Sequence, residues 1–171
     1  MVYYIGQALG LVGGVCGLIL PMLKKKSQML VMTMGTNGTA ALNLLLIGRP
    51  DSACMIHSLA VVQALVSLWH VRRDTPVTKG ENGIFMVLYI ACGLMGYQGM
   101  IDVLPIVGSL FNMLATFQRD VQKTRVLILI NVSFFLVYYV IIRSTSAFMV
   151  LSSIITTLIA MHRHRKNAVK A

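Results

Sequence analysis

Charge is so sparse in this chain of 171 residues that cutting it at every Lys, Arg, Asp and Glu leaves seven long uncharged stretches: residues 1–23, 27–48, 52–71, 82–101, 103–118, 126–142 and 144–162. Together they take up 137 residues. A hydrocarbon core about 30 Å thick is crossed by roughly 20 apolar residues of helix, with about 17 to 25 the usual range. The chain therefore reads as an all-α integral membrane protein with seven transmembrane helices. The fifth and sixth stretches are short, and flanking Lys and Arg that snorkel toward the headgroups can extend them. The remaining 34 residues leave no room for a soluble catalytic domain, a large ectodomain or a disulfide scaffold.

A formal net charge of +10 would suggest nucleic acid in a soluble protein, because clustered Lys and Arg release counterions from phosphate. Here the basic residues sit at the ends of apolar stretches, where the partners they meet are anionic lipid headgroups. The short connections build no folded basic surface, so nucleic-acid binding is not expected. With seven spans, Lys24, Lys25 and Lys26 share a side with Arg72, Arg73 and Lys79, with Arg119, Lys123 and Arg125, and with the tail; that side collects 13 of the 15 basic residues. Only Arg49 and Arg143 fall on the other. The positive-inside bias then puts the N-terminus outside and the C-terminus in the cytoplasm. The first stretch has no basic region ahead of it, so it reads as a first span and not as a cleaved leader. Cys16, Cys54 and Cys92 share no metal-ligand spacing and read as packing residues, and neither a metal nor a cofactor is expected.

The chain also resembles itself. An ungapped comparison at an offset of 94 aligns residues 10–73 with 104–167 and gives twelve identities, among them Asn37/Asn131, Arg49/Arg143, Ser58/Ser152 and His70/His164. About five would arise by chance in so biased a composition. This register maps the first three spans onto the last three and leaves the fourth over. Parallel repeats of three spans need such a linker, because each repeat ends on the face opposite its start. The expected organisation is a first three-helix repeat over 1–73, a loop and linker helix over 74–101, a second repeat over 102–163 and a basic cytoplasmic tail over 164–171, with a pseudo-two-fold axis along the membrane normal.

The stretches GQALGLVGG near the start, LPIVGSLFNMLATFQRDVQKTR and NVSFFLVYYVIIRSTSAFMVLSS resemble the YgjV-type bacterial inner membrane proteins over nearly the whole chain. The 3 + 1 + 3 plan is similar to that of the wider group of SWEET sugar transporters, PnuC vitamin transporters and PQ-loop proteins. The resemblance implies a multi-pass protein of the bacterial inner membrane and names no substrate. The paired prolines of SWEET-like repeats are absent: Pro105 aligns with Leu11, and Pro21 with Ala115. An acidic residue associated with the last span of some YgjV-type chains has no counterpart in 144–162.

Polar groups inside the spans are the candidate functional residues, because the bilayer interior penalises any that lack a partner. Asn37 and Asn131 are repeat-equivalent and near mid-span; they either converge on a neutral polar solute or act as interhelical bonds. His57 is the ionisable side chain deepest in the predicted membrane, a solute-binding or proton-coupled site on one reading and a hydrogen-bonded core imidazole on the other. Ser58 and Ser152 accompany it as repeat-equivalent hydroxyls. Asn43, Gln63 and Asn112 read as interhelical hydrogen bonds. Ser152/Thr156 and Ser153/Thr157 recur at helical spacing but can bond back to their own helix. Gly6, Gly10 and Gly14, with Gly13 and Gly17, let another backbone approach closely. No paired carboxylates and no HExxH, GxSxG or phosphate-cradling motif occur, so an enzyme is not expected. Two functions compete. A small-solute transporter or facilitator predicts a solvated cavity lined by Asn37, Asn131 and His57, whereas a receptor or assembly partner on the same scaffold predicts a dry, packed interface.

Overall fold

Each uncharged stretch becomes one helix in the computed structural model, which describes the backbone of residues 2–48, 51–144 and 146–168. The elements are α1 (Val2–Ile19, continued by a 3-10 turn, Leu20–Met22), α2 (Lys26–Leu46), α3 (Ser52–Arg72), α4 (Lys79–Met95), α5 (Val103–Phe117, entered through a 3-10 turn, Met100–Asp102), α6 (Val121–Ile141) and α7 (Ser146–Ala168). No strand occurs among the described residues. Arg49 and Lys170 lie outside them, as do the side chains of Arg163, His164, Arg165 and Lys166, so the expectations placed on those residues have no structural counterpart here.

Helix starts follow local chemistry, not the nearest charge. Asp120 caps α6 by accepting from the backbone N–H of Gln122 at 2.7 Å and of Lys123 at 3.3 Å, which places Lys123 and Arg125 inside the first turns and gives the helix 21 residues. The short sixth stretch is thus a full-length helix that runs through its charges. Helix α4 departs most from expectation. A reciprocal cap between Thr78 and Glu81 starts it at Lys79, ahead of the uncharged stretch. It ends before Gly96, where an added Cβ would lie 2.4 Å from the backbone nitrogen of Ser52; this close approach to the start of α3 turns the chain toward the 3-10 entry of α5.

Among the described residues, five segments are long and apolar enough to cross a membrane: Tyr4–Met22, Lys26–Leu46, Ser52–Arg72, Met100–Phe117 and Val121–Ile141. Helix α4 has 17 residues and opens with Lys79 and Glu81, and the apolar part of α7 is Ser146–His162. The helices form a closed ring of neighbours in the order α1, α2, α3, α5, α6, α7 and back to α1, with α4 packed outside on α3 and α5. Cross-helix bonds fix the up-and-down arrangement. Lys26 Nζ reaches Ala115 O at 2.9 Å, which joins the α1–α2 and α5–α6 turns at one end. Tyr138 Oη donates to Asp51 Oδ2 at 2.5 Å, which joins the start of α3 to the last turn of α6 at the other. Leu44, Ile56, Tyr89, Met113 and Phe135 fill the core. Leu11, Val62, Val87, Val140 and Leu158 are half or more exposed on the outward faces, a surface that matches lipid tails and not water.

Candidate functional site

Inside the ring the helices leave a cavity of about 120 Å³. On α1 its wall is Gly10, Gly13, Gly14 and Gly17, and on α2 it is Thr33, Thr36, Asn37 and Ala40. On α6 it is Ile128, Val132, Phe135 and Tyr139, and on α7 Ser146, Val150 and Ser153. Steps of three and four keep each set on one helix face. Asn131, one position from Val132, also faces this space, with His57 from α3 and Asn112 from α5. Among the described lining residues there is no Asp, Glu, Lys or Arg.

The glycines explain how the space exists. An added Cβ at Gly13 would lie 2.2 Å from Thr39 Oγ1, and one at Gly6 would meet Ile47 and Leu46 at 3.1 Å. Gly6, Gly10 and Gly13 thus let α1 pack directly on α2, and Gly10 and Gly13, with Gly14 and Gly17, line the void without filling it. Asn43 ties the same pair, donating from Nδ2 to Gly6 O at 2.6 Å. Gln63 ties three helices, donating to Met113 O at 3.2 Å and accepting from Tyr89 Oη at 2.7 Å.

A polar relay crosses the ring beside the cavity. Asn37 Nδ2 donates to Thr33 O, one turn back on its own helix, at 2.8 Å. This fixes the amide so that Oδ1 faces His57 Nδ1 at 2.8 Å. An amide oxygen only accepts, so Nδ1 carries the hydrogen and the Nε2 lone pair accepts from Tyr139 Oη at 3.0 Å. The imidazole is thereby fixed as one tautomer between α2 and α6, with Phe135 at a ring-centroid distance of 5.0 Å. Asn131 is different. Its Oδ1 is buried and has no hydrogen-bond partner.

Ser58 and Ser152 stand apart from the cavity. Ser58 donates to Cys54 O at 3.0 Å and is exposed on the outward face, and Ser152 donates to Phe148 O at 2.9 Å. Thr156 and Thr157 also bond back to α7, Thr157 Oγ1 reaching Ser153 O at 2.7 Å.

The two ends of the ring carry opposite charges, buried or partly buried. At one end Lys26 Nζ contacts Ala115 O and, at 3.3 Å, Thr124 Oγ1, while Arg125, buried, donates from Nε to Pro21 O at 3.2 Å and from Nη2 to Leu23 O at 3.4 Å. These acceptors lie at the ends of α5 and of the α1 extension, where orphan carbonyls and the helix dipole favour a cation. At the other end Asp51 and Asp102 are buried, Asp102 accepting from the backbone N–H of Gln98 at 2.7 Å and of Gly99 at 3.1 Å. At the Lys26 end, Glu81 accepts from the Thr78 backbone N–H and hydroxyl and from His70 Nε2. Those bonds, the Thr78 backbone first, hold its carboxyl at about 2, below the ordinary 4.5.

Helices of membrane-crossing length with apolar outward faces now meet a match over nearly all of the chain: a family profile, Imp-YgjV, described as bacterial inner membrane protein, covers residues 4–168. The chain belongs to the YgjV family of bacterial inner membrane proteins. No curated protein and no solved structure matches it. This YgjV-family chain is an all-α, multi-pass protein of the bacterial inner membrane. Its cavity brings together Asn37, Asn131 and His57 with Ser153, and adds Tyr139 and Ser146, which the sequence alone did not single out. Tyr139 could have been found from its place on the stripe Ile128, Val132, Phe135. Among the described residues no three His, Cys, Asp or Glu side chains group as a metal site requires.

Proposed function

We propose that this YgjV-family chain is a transporter or facilitator for a small polar solute, held in the cavity between two three-helix units, α1–α3 and α5–α7. The observation that carries the reading is that Asn37, His57 and Asn131, polar groups the bilayer would penalise elsewhere, line one common cavity. The two-unit reading draws support from the neighbour ring, since a half-turn that exchanges the units maps each contact in the ring onto another. It draws further support from the cation contacts. Pro21 and Ala115, which the offset of 94 pairs, each have their carbonyl held by a cation from the other unit, Arg125 and Lys26 respectively. On this reading α4 and α7 also span, the basic end faces the cytoplasm, and the crossed cations keep that end closed while the units rock about the site.

Tyr139, His57 and Asn37 stand in the hydroxyl, imidazole and amide order of a nucleophile–base–orienter triad. Such chemistry also needs free backbone donors at a developing oxyanion, and the interiors of these helices already use theirs internally. We therefore assign the triad a positioning role and read no enzyme here. The test is uptake of an isotope-labelled small-metabolite extract into vesicles carrying the purified protein, read by mass spectrometry against protein-free vesicles. Transport predicts accumulation of at least one solute. Identical contents in the two vesicle sets would favour the competing receptor or assembly role.

A further inference from the structure

The two asparagines that line the cavity are chemically unequal. Both hydrogen-bonding ends of the Asn37 amide are engaged, Nδ2 by Thr33 O and Oδ1 by His57. Asn131 Oδ1 is buried without a partner. The repeat offset pairs His57 with Leu151, which has no hydrogen to donate and lies 46% exposed on the outward face, so the second unit has no imidazole to satisfy its asparagine.

Several hydroxyls of the wall already spend their hydrogens on nearby acceptors. Thr33 and Thr36 give their hydroxyl hydrogens to Met29 O and Met32 O, each at 2.9 Å. Ser153 donates to Gly17 O at 3.4 Å, and Tyr139 to His57. Each of these oxygens retains lone pairs, so the wall offers acceptors beside the amide and hydroxyl donors of Asn112, Asn131 and Ser146. Charge sets a second condition. Among the described lining residues none carries a fixed charge, and an ion taken from water into such a space without a counter-charge is strongly disfavoured. A cation would also have to pass Lys26 and Arg125 at one end, and an anion Asp51 and Asp102 at the other.

We infer that Asn131 is the residue that recognises the cargo, that the cargo is an uncharged molecule presenting an N–H or O–H donor to Asn131 Oδ1, and that Asn37 is a positioning residue that acts through His57. This rests on the transport reading above for the cargo and on the geometry alone for the unequal roles. The test therefore has two arms.

In the first, thermal melting of the solute-free protein is compared for wild type, Asn131→Leu and Asn37→Leu. Replacing a buried acceptor that lacks a partner by an apolar side chain is neutral or stabilising, whereas breaking a satisfied network leaves its partners exposed to the penalty. Asn131→Leu should melt at or above the wild-type temperature and Asn37→Leu below it, with Asn131→Val as a smaller replacement that repeats the first result. If both Asn131 variants melt as far below wild type as Asn37→Leu does, Asn131 is an interhelical bond and the inference fails.

In the second, vesicles carrying each variant take up a labelled metabolite extract supplemented with trimethylamine N-oxide, an uncharged solute with no donor. Solutes carried by wild type should be uncharged and donor-bearing, with uptake reduced about tenfold in Asn131→Leu, the effect of about 1.4 kcal/mol. Carriage of an ion, or of trimethylamine N-oxide at a comparable rate, overturns the cargo class while leaving transport standing. If wild type carries nothing, transport and the cargo class fall together, and the melting arm still decides the role of Asn131.

Discussion

Replacing Lys26 by Met keeps the length of the side chain and removes its charge, and the consequence can be worked from two contacts. Lys26 Nζ donates to Ala115 O at 2.9 Å and to Thr124 Oγ1 at 3.3 Å. A hydrogen bond to a charged group contributes about 1.5–3 kcal/mol. The lower figure applies here, because both contacts are only part-buried. Loss of about 1.5 kcal/mol from the closed arrangement raises the open population about tenfold. Leu20 reports on this, since it lines the cavity toward that end and is only 7% exposed. With Cys16, Cys54 and Cys92 replaced, Leu20→Cys should react with a membrane-impermeant maleimide added on the Lys26 side about ten times faster in Lys26→Met than in the parent, as the open population sets the rate. Arg125→Met should change the rate in the same direction. Unchanged labelling in both variants would show that these cations stabilise helix ends without closing a path.

Gly13→Ala should lower the melting temperature, because its Cβ would sit 2.2 Å from Thr39 Oγ1 and overpacking of this kind costs about 1–3 kcal/mol; Thr39→Ala should recover much of the loss, and strict additivity in the double variant would refute the contact. Glu81 remains ionised in the folded chain down to about pH 2 but takes up its proton near 4.5 when unfolded. The unfolded state therefore binds more protons between these values, and the stabilisation, full above about pH 4.5, is lost as pH falls toward about 2. Melting curves across that window should fall less steeply for Glu81→Gln than for wild type, and parallel curves would contradict the assignment.

The helices were legible in the sequence because uncharged length is the property a bilayer demands. Their limits were less so. Cutting at charges hid the first turns of α6, where Arg125 is buried against the carbonyls of Pro21 and Leu23, and put α4 too late because the cap formed by Thr78 and Glu81 lies on the charged side of the cut. Of the candidate site, Asn37, His57 and Asn131 were found by asking which polar groups stand where lipid would penalise them. Ser58 and Ser152 passed the same filter but satisfy themselves on their own helices, a choice that depends on the direction each helix face takes. The unequal state of the two asparagines was hidden in the same way. Their equivalence is written in the offset of 94, but the hydrogen-bond partner of Asn37 comes from a position that the same offset pairs with Leu151.

The central claim is that water and solute reach a cavity between the two units, and thiol reactivity reads this directly. The thiolate, which forms where the sulfur meets water and not where it meets lipid, attacks a water-soluble thiosulfonate to form a mixed disulfide and release sulfinate. In a cysteine-free background, Ala40→Cys and Val132→Cys probe facing walls of the cavity, and Leu42→Cys, on a site 49% exposed toward lipid, is the control. A solute-holding cavity predicts reaction at residues 40 and 132 and protection at 42. Protection at all three would mean a dry interface, and the chain would then be a scaffold and not a carrier.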